Sequence, residues 1–210
     1  MLIDSEERWT AAREALVREA GGTWTDSATR DMMGMSAPEW SAYLRDELGV
    51  PMSAREINDA VVERMQAGYR ESVPLLDGAV ESVRGLASRW PLGVASSANA
   101  PLIALVLEVA GIAGCFAATV SSEEVPRGKP APDVYLEVAR RLGVQAEGCV
   151  AVEDSTNGLR SAHAAGMAVV AVPNRAFPPD REALALAAAV VESVSEVTPA
   201  LVEQAGGPDR

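Results

Sequence analysis

Cys149-Val150-Ala151-Val152-Glu153-Asp154-Ser155-Thr156-Asn157-Gly158 reads as a short apolar strand running into two carboxylates, a hydroxyl-rich turn and a glycine. The strand covers Cys149–Glu153. Helical spacing follows from Gly158 to about Ala165, with Gly166 where a C-cap belongs. Ala168–Val172 is then a second apolar strand. The same alternation holds upstream: strand Pro91–Ser96, helix Ala100–Ala110, strand Phe116–Ser121, helix Asp133–Leu142 closed by Gly143. A short strand near Val190 and a helix to about Gln204 follow, and Gly206–Arg210 is expected to fray. Strand and helix in alternation predict right-handed crossovers and a parallel, Rossmann-like doubly wound sheet, an α/β fold.

The first two-fifths of the chain have a different period. Apolar positions at helical spacing run from Glu6 to Ala20 and stop at Gly21-Gly22. Ser36-Ala37-Pro38-Glu39 and Ser53-Ala54-Arg55-Glu56 are capping-box patterns, opening helices that close at Gly49 and about Tyr69. No strand is expected before Leu92, and the boundary between all-helical and α/β parts is expected near Pro74–Gly78.

Composition narrows the function. The 210 residues carry a net charge of −12, against nucleic-acid binding and against an anionic membrane surface. The stretch Pro101–Val120 is apolar but holds Glu108, Gly111 and Gly114, so it reads as helix, turn and strand, not a membrane span. Cys115 and Cys149 lack metal-ligand spacing and read as free thiols of a reducing compartment, so a soluble cytoplasmic protein, monomer or weak dimer, is expected. The single histidine, His163, excludes a serine triad and a zinc site of His ligands. There are seventeen arginines and one lysine, Lys129.

Ligands of open parallel sheets bind at the carboxyl ends of the strands. The segments there are Ser96-Ser97-Ala98-Asn99, Glu153-Asp154-Ser155, and, before the third strand, Arg127-Gly128-Lys129-Pro130-Ala131-Pro132-Asp133. A hydroxyl, a cation and a carboxylate pair on one sheet edge suit phosphoryl transfer, with donors for phosphate oxygens and carboxylates for a hard divalent cation. Read singly, each has a plain alternative: Ser96 a helix cap, Lys129 a surface lysine, Glu153-Asp154 an N-cap pair.

Four motifs in order carry a resemblance. Gly128-Lys129-Pro130-Ala131-Pro132-Asp133-Val134-Tyr135 and Val152–Gly158 resemble motifs III and IV of the haloacid dehalogenase superfamily, Val94-Ala95-Ser96-Ser97 resembles motif II, and Asp4-Ser5-Glu6 resembles the segment just after motif I. The resemblance implies a Mg2+-dependent phosphatase of small phosphate esters, working through an aspartyl-phosphate on a small phosphorylated metabolite. It implies a helical cap at 7–74 and an α/β core at 75–210 together with 1–6. It also implies site roles: Ser96, Ser97 and Lys129 bind phosphate, with Ser96 and Lys129 in the catalytic set. Asp154 ligates the metal, with Glu153 beside it in or near the second shell.

The family's nucleophile and its general acid/base are the two aspartates of motif I, and this sequence contains neither. Met1 falls inside the motif, so the chain is expected to be N-terminally truncated, without its central motif I strand, and inactive as it stands. Loss of a central strand would leave a gap of roughly 10 Å, two strand spacings, lined by unpaired backbone. An inactive phosphometabolite-binding homologue is the alternative.

Within the superfamily the similarity is to β-phosphoglucomutase-like and sugar-phosphate phosphatases. Ala37 stands where mutases of the family have an arginine for a second phosphate, and Trp9 where they have a histidine. Both departures favour hydrolysis over a mutase-type isomerisation. The cap has no lysine for Schiff-base chemistry. Trp9, Trp24, Trp40, Met32, Met33 and Met35 have two readings, lining of a substrate pocket or the cap core, and the cap core is expected for most of them.

Overall fold

A computed structural model describes residues 2–32 and 35–206. Met33 and residues 207–210 lie outside these, and Gly206, also expected to fray, is instead the last residue of the final helix.

Four helices form the first unit: α1 Glu6–Glu19, α2 Ala28–Asp31, α3 Ala37–Asp46 and α4 Ala54–Glu71. Both expected capping boxes form. At α3 the Ser36 amide donates to Glu39 Oε2 over 2.7 Å; at α4 the Ser53 amide donates to Glu56 Oε2 over 2.9 Å. Leu16, Val17, Trp40, Leu44, Ile57, Val61, Met65 and Tyr69 pack into one buried cluster. The chain enters and leaves this unit side by side. Ile3 pairs antiparallel with Leu75, and the Asp4 amide donates to the Pro74 carbonyl over 2.9 Å. The pairing at Ile3 was not expected, because a single bridge has no periodicity to read.

The remainder alternates: α5 Ala79–Ala87, β1 Leu92–Ser96, α6 Ala100–Val109, β2 Phe116–Ser121, α7 Asp133–Leu142, β3 Val150–Glu153, α8 Thr156–Ala164, β4 Ala168–Ala171, α9 Arg181–Leu184, β5 Ala189–Val190 and α10 Pro199–Gly206. All strand pairs are parallel. They form two sheets, β1-β2 and β3-β4-β5, where a single sheet was expected. Among the described residues no strand pairs with the second edge of β1 or of β3.

Shared helices hold the two sheets together. One cluster joins Val120 of β2, Val134, Tyr135 and Val138 of α7, Ala151 of β3, Leu159 of α8 and Val169 of β4. Gly93 permits the close approach of α7 to β1: a Cβ there would lie 2.4 Å from Val138 Cγ1. On the opposite face Ile103 and Leu107 of α6 cover Val94, while Leu201 and Val202 of α10 cover Val170. β4 is buried throughout, which is why it reads as an unbroken apolar run. Leu102 and Val106 of α6 belong to the core of the helical unit, so that unit is packed onto the α/β part through α6. No helix among the described residues is long and apolar enough to cross a membrane.

Candidate active site at the carboxyl ends of the strands

β1 and β3 both end at one edge, and Lys129 joins them. Its ammonium donates to the Ala95 carbonyl at the end of β1 over 3.2 Å and forms an ion pair with Glu153 Oε1 at the end of β3. The loop before α7 brings it there through a cis Lys129-Pro130 peptide bond. The ammonium also lies 4.9 Å from the Tyr135 ring centroid, and the Tyr135 hydroxyl donates to Glu153 Oε1 over 2.6 Å. The side chains of Lys129 and Glu153 are only 11% and 6% exposed.

Burial on its own would raise the Glu153 pKa. The charge and hydrogen bond of Lys129, with the Tyr135 hydroxyl, outweigh it and hold the carboxyl below the usual range. The Tyr135 phenol is pushed well above its ordinary value, first by burial and then by the neighbouring Glu153 charge. The other Glu153 oxygen, Oε2, accepts from the Asp154 amide at 3.0 Å and from the Ser155 amide and hydroxyl at 3.4 and 3.3 Å. Both oxygens of Glu153 are therefore engaged by protein donors.

Ser155, not Asp154, caps α8, its Oγ accepting from the Gly158 amide over 3.1 Å. Asp154 is half-buried beside the pair. Gly158 is required by close approach, since a Cβ there would lie 2.0 Å from Glu153 Oε2. Ser96 lies at the β1 end with its Oγ accepting from the Ala98 amide over 3.1 Å, and Ser97 is exposed on the same turn. Asn99, expected as a cap, occupies the N-cap position of α6 without a capping side-chain bond. Its Nδ2 instead donates to Asn58 Oδ1 of α4 and Glu123 Oε1, at 3.2 and 2.6 Å. His163 is exposed on α8, away from this chemistry.

Glu6 stands at the start of α1, in the helical unit. Burial raises its pKa, Arg13 lowers it, and the charge of Asp154 raises it again. Sequence reasoning assigned no role to Tyr135 or Glu6, and read Asn99 only as a cap. Tyr135 was within reach of it, being the last residue of the segment that begins at Gly128.

One candidate site thus gathers Ser96, Lys129, Glu153 and Asp154 at one edge, with Ser97 on its rim. Among the described residues no three Asp, Glu, His or Cys side chains cluster tightly enough to form a closed metal cage. A hard cation that keeps most of its shell for water and phosphate oxygens needs only one or two carboxylates, and Asp154 beside Glu153 fits that demand.

A probable pseudouridine-5'-phosphatase of Drosophila melanogaster is 30% identical over 99% of this chain and 90% of its own length. Hexitol phosphatase B of Escherichia coli K12 is 34% identical over 82% and 79%. The crystal structure of CbbY from Rhodobacter sphaeroides in complex with phosphate superposes with a TM-score of 0.86 at 27% identity, covering 96% of this chain and 94% of that one. The profile of the haloacid dehalogenase-like hydrolases matches residues 1–172, and the chain belongs to that family.

Proposed function

We propose that this edge is the phosphate site of a Mg2+-dependent phosphatase acting on small sugar phosphates. The observation that carries the reading is the position of Lys129: the one lysine of the chain is held, nearly buried, between the ends of β1 and β3. A compact ammonium fixed in a dry site offsets the negative charge of a phosphoryl group without reorganising. The Ser96 hydroxyl, at the end of β1, supplies a hydrogen bond to a phosphate oxygen. Asp154 would hold the cation. Glu153, whose oxygens are already taken, positions Lys129 and the turn that presents Asp154. The bound cation would supply further positive charge against the phosphate oxygens.

The relatives named as phosphatases support the hydrolytic assignment, and the phosphate held by CbbY supports an anion site in this fold. Turnover through an aspartyl-phosphate also needs a nucleophilic aspartate. Glu153 is locked by its donors, and we assign that role to none of the carboxylates at this edge. The residues at this edge thus supply the binding half of the chemistry. Calorimetry with inorganic phosphate and Mg2+ tests this. Binding by the wild type, lost in Lys129→Ala and not restored in Lys129→Arg, is the expected result; equal binding by all three would remove the site. The chain itself should give no metal-dependent turnover of p-nitrophenyl phosphate, and turnover would show that a carboxylate present here is the nucleophile.

A further inference from the structure

Arg13 lies on α1 seven residues after Glu6, about two turns along the same face. Its guanidinium carbon is 4.9 Å from the Trp9 ring centroid and 4.8 Å from that of Trp40. The two indoles meet edge to face with centroids 6.0 Å apart, and Trp40 is buried. The guanidinium is therefore clamped by two π systems.

Its Nε is buried and has no hydrogen-bond partner among the described residues. Arg8, five positions earlier, shows how this helix anchors an arginine for purely structural ends. That guanidinium donates to the Gly68 and Ser72 carbonyls at 3.1 and 2.6 Å and to the Ser72 hydroxyl at 2.8 Å. Arg13 has no such set. Burial pulls its pKa down to about 10, and only the charge of Glu6 opposes this. A half-buried guanidinium whose buried Nε is unmet lacks one acceptor. Asn99, at the start of α6, donates to Asn58 of α4, and Trp9, Trp40 and Leu102 of α6 share one core, so the helical unit stands against the turn that follows β1.

We propose that Arg13 is the specificity-determining residue of the helical unit, and that its clamped guanidinium pairs with a carboxylate at the far end of a phosphate-ester substrate. The Nε–Nη edge is a planar two-donor fork, and a planar two-oxygen carboxylate matches it. The flanking indoles favour that flat group over a tetrahedral one. The inference rests on the phosphate-site reading above and narrows its sugar phosphates to phosphorylated sugar acids.

The test compares 3-phosphoglycerate with glycerol 3-phosphate, which differ in carrying a carboxylate or a hydroxymethyl group at the end remote from phosphate. Calorimetry on the 210-residue chain with Mg2+ should show the wild type binding 3-phosphoglycerate about tenfold or more tighter, the scale of one charge-assisted bidentate pair. Arg13→Met keeps an unbranched chain between the indoles. It should bind glycerol 3-phosphate as the wild type does and lose the preference. Equal binding of both esters by the wild type, or a preference that survives in Arg13→Met, overturns the inference and leaves the phosphate site standing. If the wild type binds neither ester, the phosphate-site reading fails and this inference falls with it. Should Arg13→Met not fold, wild-type tryptophan fluorescence decides. 3-Phosphoglycerate should perturb Trp9 and Trp40 where glycerol 3-phosphate does not, and identical responses overturn the inference.

Discussion

Lys129 and Glu153 form an ion pair across the divide between the two sheets, and each is also tied to its own side. Lys129 reaches the β1 carbonyl of Ala95, while Glu153 gathers the Asp154 amide and the amide and hydroxyl of Ser155. The pair is both a structural joint and the electrostatic centre of the proposed site.

Breaking it from one end leaves a buried charge without a partner. Lys129→Ala should therefore lower stability at neutral pH by roughly 3–5 kcal/mol, besides its effect on phosphate. Urea unfolding followed by tryptophan fluorescence measures this. A midpoint equal to that of the wild type would mean that Glu153 finds water or another donor.

The pair also fixes the sign of an acid effect. Burial raises the Glu153 pKa, Lys129 and Tyr135 lower it by more, and the folded value ends below the unfolded one. A depressed carboxylate contributes stability that is present above the ordinary pKa of about 4.3 and is lost as pH falls through the lower folded value. Urea midpoints taken downward from pH 7 should drop below about pH 4.5 in the wild type. In Glu153→Gln the same range should be flatter, from a lower starting stability. Parallel curves would show that Glu153 titrates as if unfolded.

The strands and long helices of this fold were legible in the sequence because their apolar period is long enough to count. β2 was expected and found at Phe116–Ser121, and both capping boxes formed. α2 and α9, of four residues each, give no period, and α5 was passed over although Val80, Val83 and Leu86 are spaced as a helix face. Division of the strands into two sheets is a matter of pairing between distant segments, which local pattern does not encode. In the site, residue types at strand ends pointed to Ser96, Lys129, Glu153 and Asp154. The engagement of Glu153 Oε1 was not readable, since it depends on Lys129 and Tyr135 arriving from the loop and first turn of α7. Arg13 was hidden for a related reason: its meaning lies in Trp9 and Trp40 coming together from different helices.

Gly158 tests how rigid the joint is. An added methyl would sit 2.0 Å from Glu153 Oε2 and 2.1 Å from its Cδ, and that carboxylate is held from both sides. Gly158→Ala should cost about 1–3 kcal/mol by overpacking, although alanine favours the helix by roughly 1 kcal/mol. It should also weaken phosphate binding by displacing Glu153 from Lys129. A stabilised variant with intact phosphate binding would show that Glu153 has room to turn away.

Asp154 is where the proposed metal can be tested apart from the ammonium. It does not cap α8, a role taken by Ser155, so its replacement should spare the helix start. If Asp154 ligates Mg2+, phosphate should bind the wild type more tightly as Mg2+ is raised, and Asp154→Ala should erase that dependence while retaining the weaker, metal-independent binding through Lys129. Asp154→Asn keeps the shape and one oxygen donor but removes the charge, and should recover little of the Mg2+ effect, because hard cations favour anionic oxygen. Phosphate titrations by calorimetry at several Mg2+ concentrations provide the readout, with circular dichroism confirming an unchanged fold. Full Mg2+ dependence in Asp154→Ala would move the cation to other ligands, with Glu6 the first to examine because its carboxyl already feels the charge of Asp154.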